Sequence, residues 1–125
     1  MGIQLIKIAA VYFFIGILLG MYMSINHTYN YSSIHAHVNL LGWASLGLAG
    51  VIYHLFPAAG ESIFGKVHFW LHNIGLPLMM TGLFLLVHGY EAVEPVIAAG
   101  GILVTLGVLS FLYTVFTNIG TRHDK

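Results

Sequence analysis

Apolar residues fill four long stretches of this chain, and polar residues gather in the short gaps between them. The apolar runs extend from about Ile3 to Ile25, Ile34 to Phe56, Val67 to Tyr90 and Pro95 to Ile119. Each is long enough to cross the hydrocarbon core of a bilayer as a helix, which takes about 20 residues. The gaps carry turn-forming residues: Asn26 to Ser33 is polar, Pro57-Ala58-Ala59-Gly60 closes the second run, and Glu91 to Pro95 separates the third from the fourth. The expected fold is therefore all-α, one domain of four transmembrane helices over residues 1–125. Ser32 or Ser33 is expected to cap the second helix.

Composition narrows the class further. Hydrophobic residues make up 58% of the chain and charged residues 6%, with a mean hydropathy of +0.89, which leaves no room for a separate soluble domain. The four cations, Lys7, Lys66, Arg122 and Lys125, all fall on one side of a four-span arrangement. Because Lys and Arg are retained in cytoplasmic loops, both termini are expected in the cytoplasm, with His27, Glu91 and Glu94 in outer loops. The first span exceeds the apolar core of a signal peptide, and no small-x-small cleavage site follows at Ser24 to His27, so it reads as a retained helix. Cysteine is absent, which excludes disulfides, iron-sulfur ligation, thiolate haem ligation and covalent c-type haem attachment. The charge balance is zero and forms no basic patch, so nucleic acid is not an expected partner. Many of the fifteen glycines fall within the spans, where they let helices approach closely.

Chemistry resides in the eight histidines. His35-Ala36-His37 stands near the start of the second span, and imidazoles inside a membrane helix are rare enough to demand an explanation. Two positions along a helix rotate a side chain by roughly 200°, so His35 and His37 point to nearly opposite sides. One ion cannot easily take both, whereas two planar cofactors on either side of the helix could each take one axial imidazole, as haem iron does. The alternative is a pair of buried histidines satisfied by backbone or hydroxyl groups. Asn39, Trp43 and Ser45 share the helix and are candidates for hydrogen bonding or stacking, and Trp43 serves equally as lipid-facing or packing bulk. His88 returns to the level of the pair at the end of the third span. His54, His68 and His72 are expected about 20 Å or more away along the helical rise. His68 and His72 share a face at i, i+4, but two ligands do not complete a zinc site, and hydrogen bonding between helices is the expected role. His123 is expected to be solvated.

The segment HAHVNLLGWASLGLAGVIYHLFP from His35, followed by GKVHFWLHNIG, resembles the haem-copper oxidase superfamily. The likeness is to the tenth and eleventh helices of the cytochrome oxidase catalytic subunit, with the whole chain similar to helices nine to twelve. The His-x-His pair, His54-Leu55-Phe56-Pro57 and Lys66-Val67-His68-Phe69-Trp70 follow in the family's order over residues 35 to 75. The resemblance implies one four-helix arc of a twelve-helix bundle in a bacterial inner (plasma) membrane. It implies noncovalent haem b, with His35 on a high-spin haem and His37 on a low-spin haem. Counterparts of the helices that hold the family's copper are missing, as is the His-Pro-x-x-Tyr signature, so copper is not expected.

Four spans do not by themselves enclose a haem ligated on both faces by residues whose rings diverge. A cyclic homotrimer would rebuild twelve helices and set His35 of one chain opposite His37 of the next, with His88 or an unrelated subunit as the rival source of the sixth ligand. The leading expectation is electron transfer through bis-histidine haem near the outer face. The runner-up is a small haem-dependent oxygen or nitric oxide reductase, and a third reading is a haem sensor, a carrier or an oxidase assembly partner. Quinol or another redox partner is the expected donor, although no quinol site is legible, and no catalytic residue can be assigned.

Overall fold

The computed structural model describes residues 1–120 and is entirely helical over its regular elements. Arg122, His123 and Lys125, which entered the charge and solvation arguments, lie outside the described residues. The first span is α1 (Gly2–Ile25). The second is continuous in space but not uniform: α2 (Ser32–His37) passes into a π-helical segment (Val38–Ala44) and then α3 (Ser45–Leu55). A short α4 (Pro57–Glu61) precedes the third span, α5 (Ile63–Val87). A 3-10 turn at Glu91–Val93 leads into the fourth span, α6 (Glu94–Asn118). All four spans are long and apolar enough to cross a membrane. Their outward faces remain apolar, with residues such as Phe14, Leu48, Ile102 and Phe116 exposed, as expected of surfaces that meet lipid rather than water.

The ends of these helices follow from local chemistry. Ser62 Oγ accepts a hydrogen bond from Gly65 N at 3.0 Å, so α5 begins at Ile63 rather than at Val67, where the apolar run starts. Its other end comes at Val87, with Gly89 at φ +93° turning the chain. The expected serine cap of the second span is not formed. Tyr31 occupies the cap position, and Ser32, already inside the helix, donates instead to the Tyr29 carbonyl at 2.7 Å.

Two cores hold the bundle. Toward the N-terminal end, Leu5 and Ala9 of α1 meet Leu46, Ala49 and Tyr53 of α3 and Ala59 of α4. Further along, Leu76 and Met79 of α5 meet Val104 of α6. Close approach depends on glycine where the axes cross. A methyl at Gly100 would lie 2.6 Å from the Met79 amide nitrogen and 2.8 Å from the Gly75 carbonyl oxygen, so α5 and α6 touch backbone to backbone there. Hydroxyls close the N-terminal end: Thr114, wholly buried on α6, donates to the Ala59 carbonyl at 3.1 Å and also bonds Ser62.

This packing predicts a sharp contrast between adjacent glycines. Gly100→Ala forces the two backbones apart and should cost about 1–3 kcal/mol. Gly101→Ala meets only the flexible Met79 sulfur at 3.7 Å and should stay within about 0.5 kcal/mol of the parent chain. Unfolding in mixed micelles with rising dodecyl sulfate measures both.

Candidate functional site

The His-x-His pair occupies the last positions of α2, where the π-helical segment begins. His35 turns toward α1. Its Nδ1 lies 2.9 Å from the Gly16 carbonyl, and a methyl at Gly20 would stand 3.0 Å from its Cε1, so Gly20 makes room for the ring. Asn39 also leans on Gly16, and it donates to the His35 carbonyl at 2.7 Å. His37 faces the other way, into an apolar cleft of about 350 Å³ lined by Leu41 of its own span, Met79 of α5, and Gly101, Val104, Thr105 and Val108 of α6. Its Nδ1 lies 2.7 Å from the Ser33 carbonyl.

A carbonyl only accepts, so the Nδ1 atoms of both rings carry the proton. In a neutral imidazole that leaves each Nε2 with a free lone pair, and no hydrogen bond engages either Nε2 among the described residues. Metal-ligating histidines are commonly arranged in this way, with one nitrogen donated to a fixed acceptor and the other presented to the metal. Trp43 lies apart from this chemistry, its ring 4.6 Å from that of Phe13 and 39% exposed. His88 belongs to an aromatic group at the loop end: the Tyr31 hydroxyl holds its Nε2 at 2.9 Å, and the Phe84 ring lies 4.6 Å away. No hydrogen bond or ring contact joins His88 to His35 or His37 among the described residues, and no group of three potential metal-binding side chains occurs among them.

The other buried histidines form a second constellation. His68 is 1% exposed and His72 0%, and they are joined end to end. The Tyr53 hydroxyl bonds His68 Nδ1 at 2.7 Å, His68 Nε2 bonds His72 Nδ1 at 3.1 Å, and His72 Nε2 bonds the Leu41 carbonyl at 2.9 Å. Phe111 of α6 packs on the His68 ring at 5.0 Å. The last bond exists because of the π-helical segment. Ser45 N bonds Leu40 O, five residues back, and where this spacing returns to the α-helical four, one carbonyl in the stretch loses its backbone partner.

Hydrogen bonding between helices, the role expected of His68 and His72, is what the structure contains. Their expected separation from the His-x-His pair is too large for His72. Leu41 is one turn from His37, about 6 Å of helical rise, and both line the same cleft. Sequence reasoning missed Tyr53 and the Leu41 carbonyl. Tyr53 sits beside His54 with no local signal of its partner on α5, and a carbonyl freed by a change of helical register carries no side-chain signature.

Removing the middle of this chain tests its contribution. His68→Leu strands the Tyr53 hydroxyl and His72 Nδ1, and is expected to cost about 1–3 kcal/mol. Thr105→Val removes only a hydroxyl bonded to Gly101 O of its own helix at 2.8 Å, so its loss in the same micellar unfolding assay should be distinctly smaller. Comparison with protein-family models, with curated proteins and with solved structures finds no match for this chain.

Proposed function

We propose that this chain is a membrane b-type haem protein that carries electrons, with His35 and His37 as axial ligands. One observation carries the reading: both imidazoles tie Nδ1 to a backbone carbonyl and leave Nε2 free, on opposite sides of one membrane helix. The resemblance of residues 35 to 75 to the haem-copper oxidase superfamily supports the same assignment. The donor chemistry fits haem iron. The His37 cleft suits a flat apolar group, being lined by aliphatic side chains and by Gly101, which adds no bulk. Haem held by these imidazoles would supply a one-electron couple.

The remaining tasks fall to this chain's own residues. The Gly16 and Ser33 carbonyls fix the orientation of the two rings, and Leu41, Met79 and Val104 keep water from the cleft. His35 and His37 diverge, so a second imidazole facing His37 comes from a neighbouring protomer. A cyclic homotrimer supplies one, as a single arc of a twelve-helix assembly. Lys7 and Lys66 at one end of the bundle support an orientation with that end in the cytoplasm, which would leave the His pair near the outer face of a bacterial plasma membrane. Quinol is the natural donor.

Five measurements bear on this reading. Pyridine haemochrome analysis of purified protein should report noncovalent haem b, and protein free of haem after expression with ample supply would refute it. His35→Ala and His37→Ala should each abolish the six-coordinate low-spin spectrum, whereas His54→Ala, exposed at the far end, should retain it. Carbon monoxide binding to the ferrous parent protein would favour an oxygen or nitric oxide reductase instead. Native mass spectrometry should find a haem-loaded trimer, and reporter fusions at Lys125 should be active in the cytoplasm.

A further inference from the structure

Polar links between membrane helices need only hydroxyls or amides, and the N-terminal end of this bundle uses them: Ser62, Thr114 and Asn118 bond one another and the Ala59 carbonyl. Tyr53, His68 and His72 differ in kind. All three exchange protons, they are linked head to tail without a spacer, and all are at most 3% exposed. Tyr53 lines an open pocket of about 190 Å³ at the N-terminal end of the bundle, together with Gly2, His54 and Glu61. His72 ends the chain on Leu41, at the edge of the His37 cleft. We propose that Tyr53, His68 and His72 form a one-proton relay from that pocket to the middle of the membrane.

The bond directions permit only one neutral resting arrangement. Leu41 O is an acceptor, so His72 Nε2 bears its proton and His72 Nδ1 accepts. His68 Nε2 then donates, which makes His68 Nδ1 the acceptor of the Tyr53 O–H. A proton delivered to Tyr53 Oη displaces the original hydroxyl proton onto His68 Nδ1. The His68 Nε2 proton passes to His72 Nδ1. Tyr53 and His68 end neutral, and His72 ends as an imidazolium with both N–H groups bonded, one to His68 Nε2 and one to Leu41 O. One proton has entered, no heavy-atom contact has broken, and every hydrogen bond has kept its partners with the first two reversed.

Few other groups compete. Tyr12 is the titratable side chain that α1 packs, like Leu41, against the Leu76, Met79 and Val104 core, and α6 contributes Phe111 and Val108 at the small cavity beside the two histidines. That cavity, about 150 Å³ between α3, α5 and α6, exceeds the space one water needs. No carboxylate or ammonium lines it. On the electron-carrier reading, a positive charge on His72 would offset the electron gained in the adjoining cleft. That purpose rests on the electron-carrier reading, whereas the relay itself does not.

The test is kept independent of haem. Protein with 15N-labelled histidine in micelles should show His72 protonated at Nε2 and a scalar coupling across the His68 Nε2 to His72 Nδ1 hydrogen bond. Tyr53→Phe removes the inlet while keeping the ring, and should slow exchange of His72 Nδ1 between its lone-pair and protonated forms about 100-fold. His68→Gln, which cuts the middle link, should slow it similarly. Unchanged exchange in both variants, or a His72 ring protonated at Nδ1 alone, would overturn the relay. Haem content of the same samples reports on the electron-carrier reading separately, so protein without haem but with relay-dependent exchange refutes only that reading.

Discussion

Lipid offers no hydrogen bonds, so every polar atom within these spans must find its partner inside the protein. The structure follows from how that demand is met. Most side chains escape it by being apolar, and the serines and threonines on outer faces bond carbonyls of their own helices, as Ser110 does with Leu106 at 3.1 Å. Imidazole cannot be silenced so locally, because its two nitrogens point in opposite directions. A histidine in this bundle therefore either engages both nitrogens or leaves one unengaged. His68 and His72 take the first course, and His35 and His37 the second.

That division separates a closed constellation from an open one. The Tyr53 to Leu41 chain uses every ring nitrogen it contains, and its resources are spent within the bundle. The His-x-His pair anchors each ring by a single nitrogen to main chain, and main chain is the least mobile acceptor available. The rings are thus fixed in orientation while one nitrogen of each is left unengaged. Small residues make this possible on the α1 side, where Gly16 and Gly20 leave a groove for His35 and Asn39. Elsewhere the same device, at Gly75 and Gly100, brings α5 and α6 into backbone contact.

The four spans were legible because hydropathy accumulates over many residues, and single exceptions do not alter the sum. Their boundaries were less so: Ser62 starts α5 within a stretch that hydropathy assigns to a loop, since a cap is a matter of one hydroxyl and one amide. The divergence of His35 and His37 was readable from helical geometry alone. Their nearness to His72 was not, because it depends on which carbonyl α5 meets across the bundle. Tyr53 stayed hidden for the same reason, its partner lying fifteen residues away beyond α4.

The π-helical segment acts on more than one carbonyl. Fitting an extra residue into a helix rotates all that follows by about 100° relative to all that precedes it. Val38–Ala44 lies between the His-x-His pair and Tyr53, so it sets the angular phase between the two constellations. At 100° per residue, Leu46, Ala49 and Tyr53 would lie within about 40° of His35 on a uniform α-helix, so the π-helical segment offsets that core face from the direction in which His35 points. The length of this segment is therefore a geometric parameter in its own right, and a one-residue deletion there would retune the bundle without changing the chemical identity of any histidine.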